Sequence, residues 1–273
     1  MTQTILITGT SSGLGRATAQ LFQARGWNVV ATMRDPDAER ELTDLDNVLV
    51  TRLDVQDTAS IDAAVEAALT RFGRIDALVN NAGYGAYGPL EATPLEKIHR
   101  QFDVNVFGLL ATTKAVLPHF RAAGSGTIVN ISSMGGRITF PLGTLYHGTK
   151  FAVEGLSESL HYELAAIGVR VKIVEPGGIR TDFGGRSFDF TNDARLLEYQ
   201  PLVAAVMGSV GPMMEHGSAP EDIAEIVHRA VTDGTDTLRY VAGDDAQQLM
   251  KTRTSSDDAA FFAGMRAQFG LEV

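Results

Sequence analysis

Thr4-Ile5-Leu6-Ile7-Thr8-Gly9-Thr10-Ser11-Ser12-Gly13-Leu14-Gly15 is the stretch that decides the fold. Its first five residues are a continuous apolar and β-branched run, the pattern of a strand covered on both faces. Three glycines follow within seven positions, and a helical pattern then runs through Arg25. Glycine there allows a tight turn and lets backbone N–H groups approach a pyrophosphate, to which the helix N-terminus adds its partial positive charge. A glycine turn directly after the first strand of a βαβ unit is a far stronger signal than one elsewhere.

Six more runs share the character of the first: Asn28–Thr32, Val48–Arg52, Ala77–Asn80, Thr127–Ile131, Val169–Val174 and Leu238–Val241. Helical patterns separate them. Thr58–Phe72 places Ile61, Val65, Ala68, Leu69 and Phe72 on one stripe and stops at Gly73. Thr93-Pro94-Leu95-Glu96 and Ser218-Ala219-Pro220-Glu221 both read as a capping hydroxyl, a proline opening the helix and an acid in the first turn. The sum is a Rossmann-type, doubly wound α/β sandwich of three layers with a mostly parallel sheet of seven strands. Residues 1–273 read as one such domain, with no linker or internal repeat. Residues 184–217 stand apart: they show no clear strand, read as helical around Asp193–Val206, and are taken as an excursion over the ligand site. Asp257–Gln268 reads as a short helical tail.

Composition removes several function classes. The net charge of −10 disfavours nucleic acid or an anionic membrane as partner. With no cysteine, disulfides, thiolate catalysis and cysteine-based metal sites are excluded. The six histidines are scattered without metal-ligand spacing, so no metal is expected. No apolar run reaches the length of about 18 residues that spans a bilayer. No basic leader precedes Thr4, so a cytoplasmic protein is the default expectation.

Tyr146 and Lys150 lie four positions apart, on one face of a helix if the stretch is helical, with Cβ atoms about 6 Å apart. An ammonium at ~4 Å from a phenol, at an effective dielectric of ~20, favours the phenolate by about 4 kcal/mol. That corresponds to roughly three pKa units and would make Tyr146 an acid–base catalyst near neutral pH. In an open α/β sheet ligands bind beyond the carboxyl ends of the strands. Gly9, Asp54, Asn81, Ser133 and Gly177 all follow strand ends and would converge there.

The glycine spacing Thr-Gly-x-x-x-Gly-x-Gly resembles that of the short-chain dehydrogenase/reductase family, and the likeness extends from Thr4 to about Val241. Asn80-Asn81-Ala82-Gly83 looks like the family's Asn-Asn-Ala-Gly motif, and Asp54-Val55 like its adenine-contacting pair. Val104-Asn105-Val106 looks like the segment that completes the catalytic set. The serine 13 residues before the tyrosine selects Ser133 over Ser132. Pro176-Gly177-Gly178-Ile179-Arg180-Thr181 looks like the segment that holds the nicotinamide amide. The resemblance implies a carbonyl–alcohol oxidoreductase with Asn105, Ser133, Tyr146 and Lys150 as its catalytic set. Tyr146 would be the acid or base, Lys150 would lower its pKa and bond the ribose, Ser133 would donate to the substrate oxygen, and Asn105 would hold a water.

The implied cofactor site comprises Gly9, Thr10, Ser11, Ser12, Gly13, Leu14, Gly15, Asp54, Val55, Asn81, Ala82, Gly83, Tyr146, Lys150, Pro176, Gly177, Ile179 and Thr181. The end of the second strand carries Met33 and Arg34 where NAD-using relatives place an acid, and a guanidinium suits a 2′-phosphate. NADP(H) is therefore favoured, with NAD(H) the alternative. Tyr84, Tyr87, Phe140, Leu142 and Phe183 suggest a hydrophobic ketone, aldehyde or alcohol. The style is that of the steroid and retinoid reductases, and a homodimer or homotetramer is implied. A cofactor-binding regulator without turnover remains the reading from another class.

Overall fold

The computed structural model describes residues 2–180, 187–215 and 217–271. Seven strands form one sheet: β1 (Thr4–Thr8), β2 (Asn28–Met33), β3 (Val48–Arg52), β4 (Ala77–Asn80), β6 (Gly126–Ile131), β7 (Val169–Pro176) and β9 (Arg239–Ala242). Their order is β3-β2-β1-β4-β6-β7-β9, and every pairing is parallel. The order reverses between β1 and β4, which opens a crevice at their carboxyl ends.

The unbroken apolar runs follow from burial on both faces. On one face, Ile5, Ile7, Val29 and Val79 pack with Phe22 of α1 (Gly13–Ala24). Ile223 and Val227 of a later helix, Pro220–Thr232, join them. On the other face, Leu6, Val30, Leu78 and Ile128 meet α2 (Thr58–Phe72), α4 (Gly108–Ala123) and α5 (Thr144–Ala165) through Ile61, Val116, Phe120 and Leu164. A third cluster joins Met134 and Ile138 to α8 (Asp244–Ser255) and α9 (Asp258–Gln268) through Met250, Phe261 and Met265. The tail helix expected at Asp257–Gln268 is present as α9, and α8 before it joins it in packing on the residues after β6.

Four expectations are corrected. Residues 184–217 do contain a strand: β8 (Phe188–Phe190) pairs in parallel with β5 (Gly85–Tyr87). Three residues are too few to leave a periodic signal. Helix around Asp193–Val206 is displaced: α6 spans Gln200–Glu215, while Asp193 closes a local ion pair with Arg195. Thr93 does not cap α3 (Leu95–Phe102); its hydroxyl donates to the Pro89 carbonyl at 2.9 Å. Ala219, not Ser218, is the N-cap of α7 (Pro220–Thr232), because Ser218 is drawn into a bridge with Ile179.

Candidate active site

The glycine turn closes over the β1 end by steric necessity. Gly9 has φ 73°, a conformation that L side chains rarely adopt. A Cβ on Gly15 would overlap the Gly9 carbonyl and come within 2.5 Å of the Asn81 amide. Asn81 braces the turn, donating to the carbonyls of Thr8 at 2.8 Å and Gly9 at 3.1 Å. Thr10 is fully buried beneath it, with its hydroxyl on the Thr32 carbonyl. Ser12, the N-cap of α1, makes no side-chain cap bond, and no acid occupies the first turn. The first N–H groups of α1 are therefore open to an anion.

These residues line one end of a cavity of about 620 Å³. Gly9, Ser11, Ser12, Gly13, Leu14, Gly15, Arg34, Asp54, Val55, Asn81, Ala82 and Gly83 all border it, as do Ser133, Tyr146, Lys150, Pro176, Gly177 and Ile179. Thr10 and Asn105 lie behind its wall, and Thr181 falls outside the described residues. Arg34 forms no ion pair among the described residues, whereas Arg16 is held by Glu39 and Glu41 and donates to the Ser11 carbonyl. Asp245 braces the segment after β7 by accepting from the Gly178 amide at 2.7 Å.

At the other end, Ser133 and Tyr146 are hydrogen-bonded through their hydroxyls. The Ser133 Oγ also accepts from the Gly135 amide at 3.0 Å, as the cap of the turn after β6. The Ser132 Oγ, by contrast, has no hydrogen-bond partner among the described residues. Lys150 is buried, its Nζ 2.9 Å from the Ile131 carbonyl and 5.8 Å from the centre of the Tyr146 ring.

Burial opposes the expected fall in the Tyr146 pKa. Burial pushes the phenol up, against the Ser133 hydrogen bond, because a phenolate there loses its hydration. Burial also lowers Lys150 to about 8, against the pull of Glu154. The Lys150 Nζ donates to the Ile131 carbonyl and lies over the Tyr146 ring.

Asn105 sits in a π-helical segment, Asp103–Phe107. Its amide donates to the Tyr84 carbonyl at 2.8 Å and the Thr149 hydroxyl at 3.1 Å, and accepts from the Tyr84 amide at 3.1 Å. Both N–H donors are taken, which leaves no side-chain donor for the expected water.

Tyr84, Tyr87, Phe140 and Leu142 line the cavity as expected; Phe183 is outside the described residues. Tyr87 stacks between Tyr146 and Phe188, with ring centres at 5.4 and 5.0 Å. Phe188, Phe190, Val206 and Met207, from the excursion expected over the ligand site, line it too; His147 and Phe269 also line it and carry no sequence signal of doing so. The β5–β8 pair delivers Phe188 and Phe190, and the Lys97–Asp189 ion pair at 2.6 Å and the Ala86–Gln101 hydrogen bond tie it to α3.

A glycine turn at a topological switch point, with the Ser133–Tyr146 hydroxyl pair at the far end of the same cavity, is an arrangement suited to a dinucleotide. The short chain dehydrogenase family profile matches residues 3–191, and the chain belongs to that family. An uncharacterised oxidoreductase of Schizosaccharomyces pombe is 46% identical over 88% of this chain and all of its own length. The structure of a short-chain dehydrogenase from Streptomyces avermitilis superposes with a TM-score of 0.85, at 34% identity, covering 100% of this chain and 99% of that one. A 3-ketoacyl-(acyl-carrier-protein) reductase from Brucella melitensis, solved with NADH, gives 0.74 at 30% identity over 88% of this chain and 96% of that one. The protein is thus an enzyme acting on CH–OH or C=O groups with a nicotinamide cofactor. Among the described residues, no helix is long and apolar enough to cross a membrane, and no group of three potential metal ligands occurs.

Proposed function

We propose that the protein is an NADP(H)-dependent reductase of hydrophobic ketones or aldehydes, with Tyr146 as proton donor. The observation that carries this is the buried Ser133–Tyr146 hydroxyl pair at the end of the cleft that begins at the glycine turn. A reduced nicotinamide cofactor held by the glycine turn, Asn81 and Ile179 would supply the hydride to the carbonyl carbon. Tyr146 gives its proton to the carbonyl oxygen, so the C=O becomes CH–OH. Ser133 donates a hydrogen bond to that oxygen as charge develops on it. Burial keeps the phenol protonated, which suits the reductive direction. Lys150 stays mostly charged at neutral pH and would restore the proton.

The aromatic and aliphatic lining, with Tyr87, Phe188, Phe190 and Phe269, supports an apolar substrate. Arg34, bordering the cleft without an ion pair among the described residues, supports NADP(H) over NAD(H). Exposed Phe107, Phe151 and Tyr162, on and beside α4 and α5, support self-association of a single-domain chain. Size-exclusion chromatography tests that point.

The central test is a carbonyl panel including acetophenone, cyclohexanone and decanal, with NADPH consumption as readout. Tyr146→Phe is expected to lower kcat by about 100-fold or more while NADPH still binds. Near-normal turnover in that variant refutes the reading.

A further inference from the structure

His147, immediately after Tyr146, is buried, yet both ring nitrogens are in use. Nδ1 lies 2.9 Å from the Gly135 carbonyl, which only accepts, so Nδ1 carries the hydrogen. Nε2 lies 3.0 Å from the Phe140 amide, which only donates, so Nε2 offers its lone pair. The partners thus fix one neutral tautomer. Two glycines make room for the ring. A Cβ on Gly135 would come within 2.7 Å of Nδ1, and one on Gly143 would run into Cδ2.

Each partner leads to a different part of the site. The Gly135 amide donates to the Ser133 Oγ, so the imidazole is two hydrogen bonds from the hydroxyl that meets Tyr146. Phe140 begins the wall segment that runs through Leu142. Leu142 is held at φ 62°, a strained backbone for a leucine that persists only when its surroundings over-determine it. The Phe140–His147 bond and a 2.8 Å bond from the Gly88 amide to the Leu142 carbonyl supply that constraint. Phe140 and Leu142 both line the cavity.

We propose that His147 is the positioning residue that sets the serine turn and the 140–142 substrate wall against Tyr146, one ring nitrogen serving each; this rests on the assignment of Ser133 and Tyr146 to the reacting centre. Burial holds the imidazole pKa below its ordinary value, which keeps the acceptor nitrogen unprotonated.

Two amide variants separate the two arms. His147→Asn retains a donor at the δ position for Gly135 and loses the acceptor for Phe140. Its KM for decanal or acetophenone, at saturating NADPH, is expected to rise by about tenfold or more with kcat within about threefold. His147→Gln retains an acceptor near the ε position and loses the donor to Gly135. Its kcat is expected to fall by about tenfold or more with KM within about threefold. Wild-type kinetics in both variants, or equal shifts of both parameters in both, overturns the proposal.

If neither variant folds, Gly143→Ala serves instead. Its φ of −98° admits alanine, and the added methyl displaces the ring. Raised KM with kcat retained supports the proposal, and an unchanged KM overturns it. Tyr146→Phe is measured alongside. Turnover persisting there removes the reacting-centre assignment. Turnover lost there, with no split between the His147 variants, removes the His147 proposal alone.

Discussion

Glu175→Gln should flatten the pH dependence of folding stability on the acid side of neutrality. Glu175 is the penultimate residue of β7 and has no exposed surface. Glu154, one turn after Lys150 on α5, is buried beside it. The Arg239 Nε lies 3.1 Å from one Glu175 oxygen and 3.0 Å from one Glu154 oxygen, while Arg137 stands at 3.7 Å from Glu175. Burial, and then the charge of Glu154, raise the Glu175 pKa from 4.5 to about 7, outweighing Arg137 and Arg239. The folded state therefore keeps a proton through that interval which the unfolded chain has released. Stability from this group is complete below the unfolded value and is lost as pH rises through the folded one.

The difference of about 2.5 units, at about 1.36 kcal/mol each, is an upper bound of about 3 kcal/mol. Urea melts of both proteins across the range from about pH 5 to about pH 8 measure it. The wild type is expected to lose about 2 kcal/mol more than the variant over that span. Burial lowers the pKa of His147 and His228, so they contribute with the opposite sign, but equally in both proteins, and drop out of the difference. Parallel stability–pH curves for the two proteins would show that Glu175 is ionised throughout, and the argument would fail.

Arg34→Ala should reduce kcat/KM for NADPH relative to NADH by about tenfold, the scale of a lost charge-assisted hydrogen bond; an unchanged ratio removes Arg34 from cofactor choice. Gly15→Ala should abolish tight NADPH binding, read by nucleotide fluorescence, because its methyl overlaps the Gly9 carbonyl of the phosphate turn. Phe22→Ala should cost about 3–5 kcal/mol in chemical denaturation. That ring is fully buried and meets Trp27 edge-on at 5.2 Å.

Much of this molecule is legible in its amino-acid order because the relevant signals are local. All seven strands of the main sheet lie within two residues of the apolar runs that announce them, and in the central strands burial on both faces forces such runs to be continuous. The glycine turn is readable because backbone approach admits no side chain, and the Tyr146–Lys150 spacing because one helix face repeats every four residues. Three-residue strands such as β5 and β8 leave no period to read. Helix caps at Thr93 and Ser218 misled because a nearby carbonyl or bridge competed for the same groups.

The sequence by itself determined the parallel sheet, the glycine turn and the placing of Ser133, Tyr146 and Lys150 on elements that converge. Only the tertiary structure decided the electrostatic balance at Tyr146, where burial outweighs its neighbours. It also decided the Tyr87–Phe188 stack, the two partners of His147 and the Glu154–Glu175 pair. The physical reason is common to all four: desolvation and contact depend on which distant segments close over a group, and no local spacing records that.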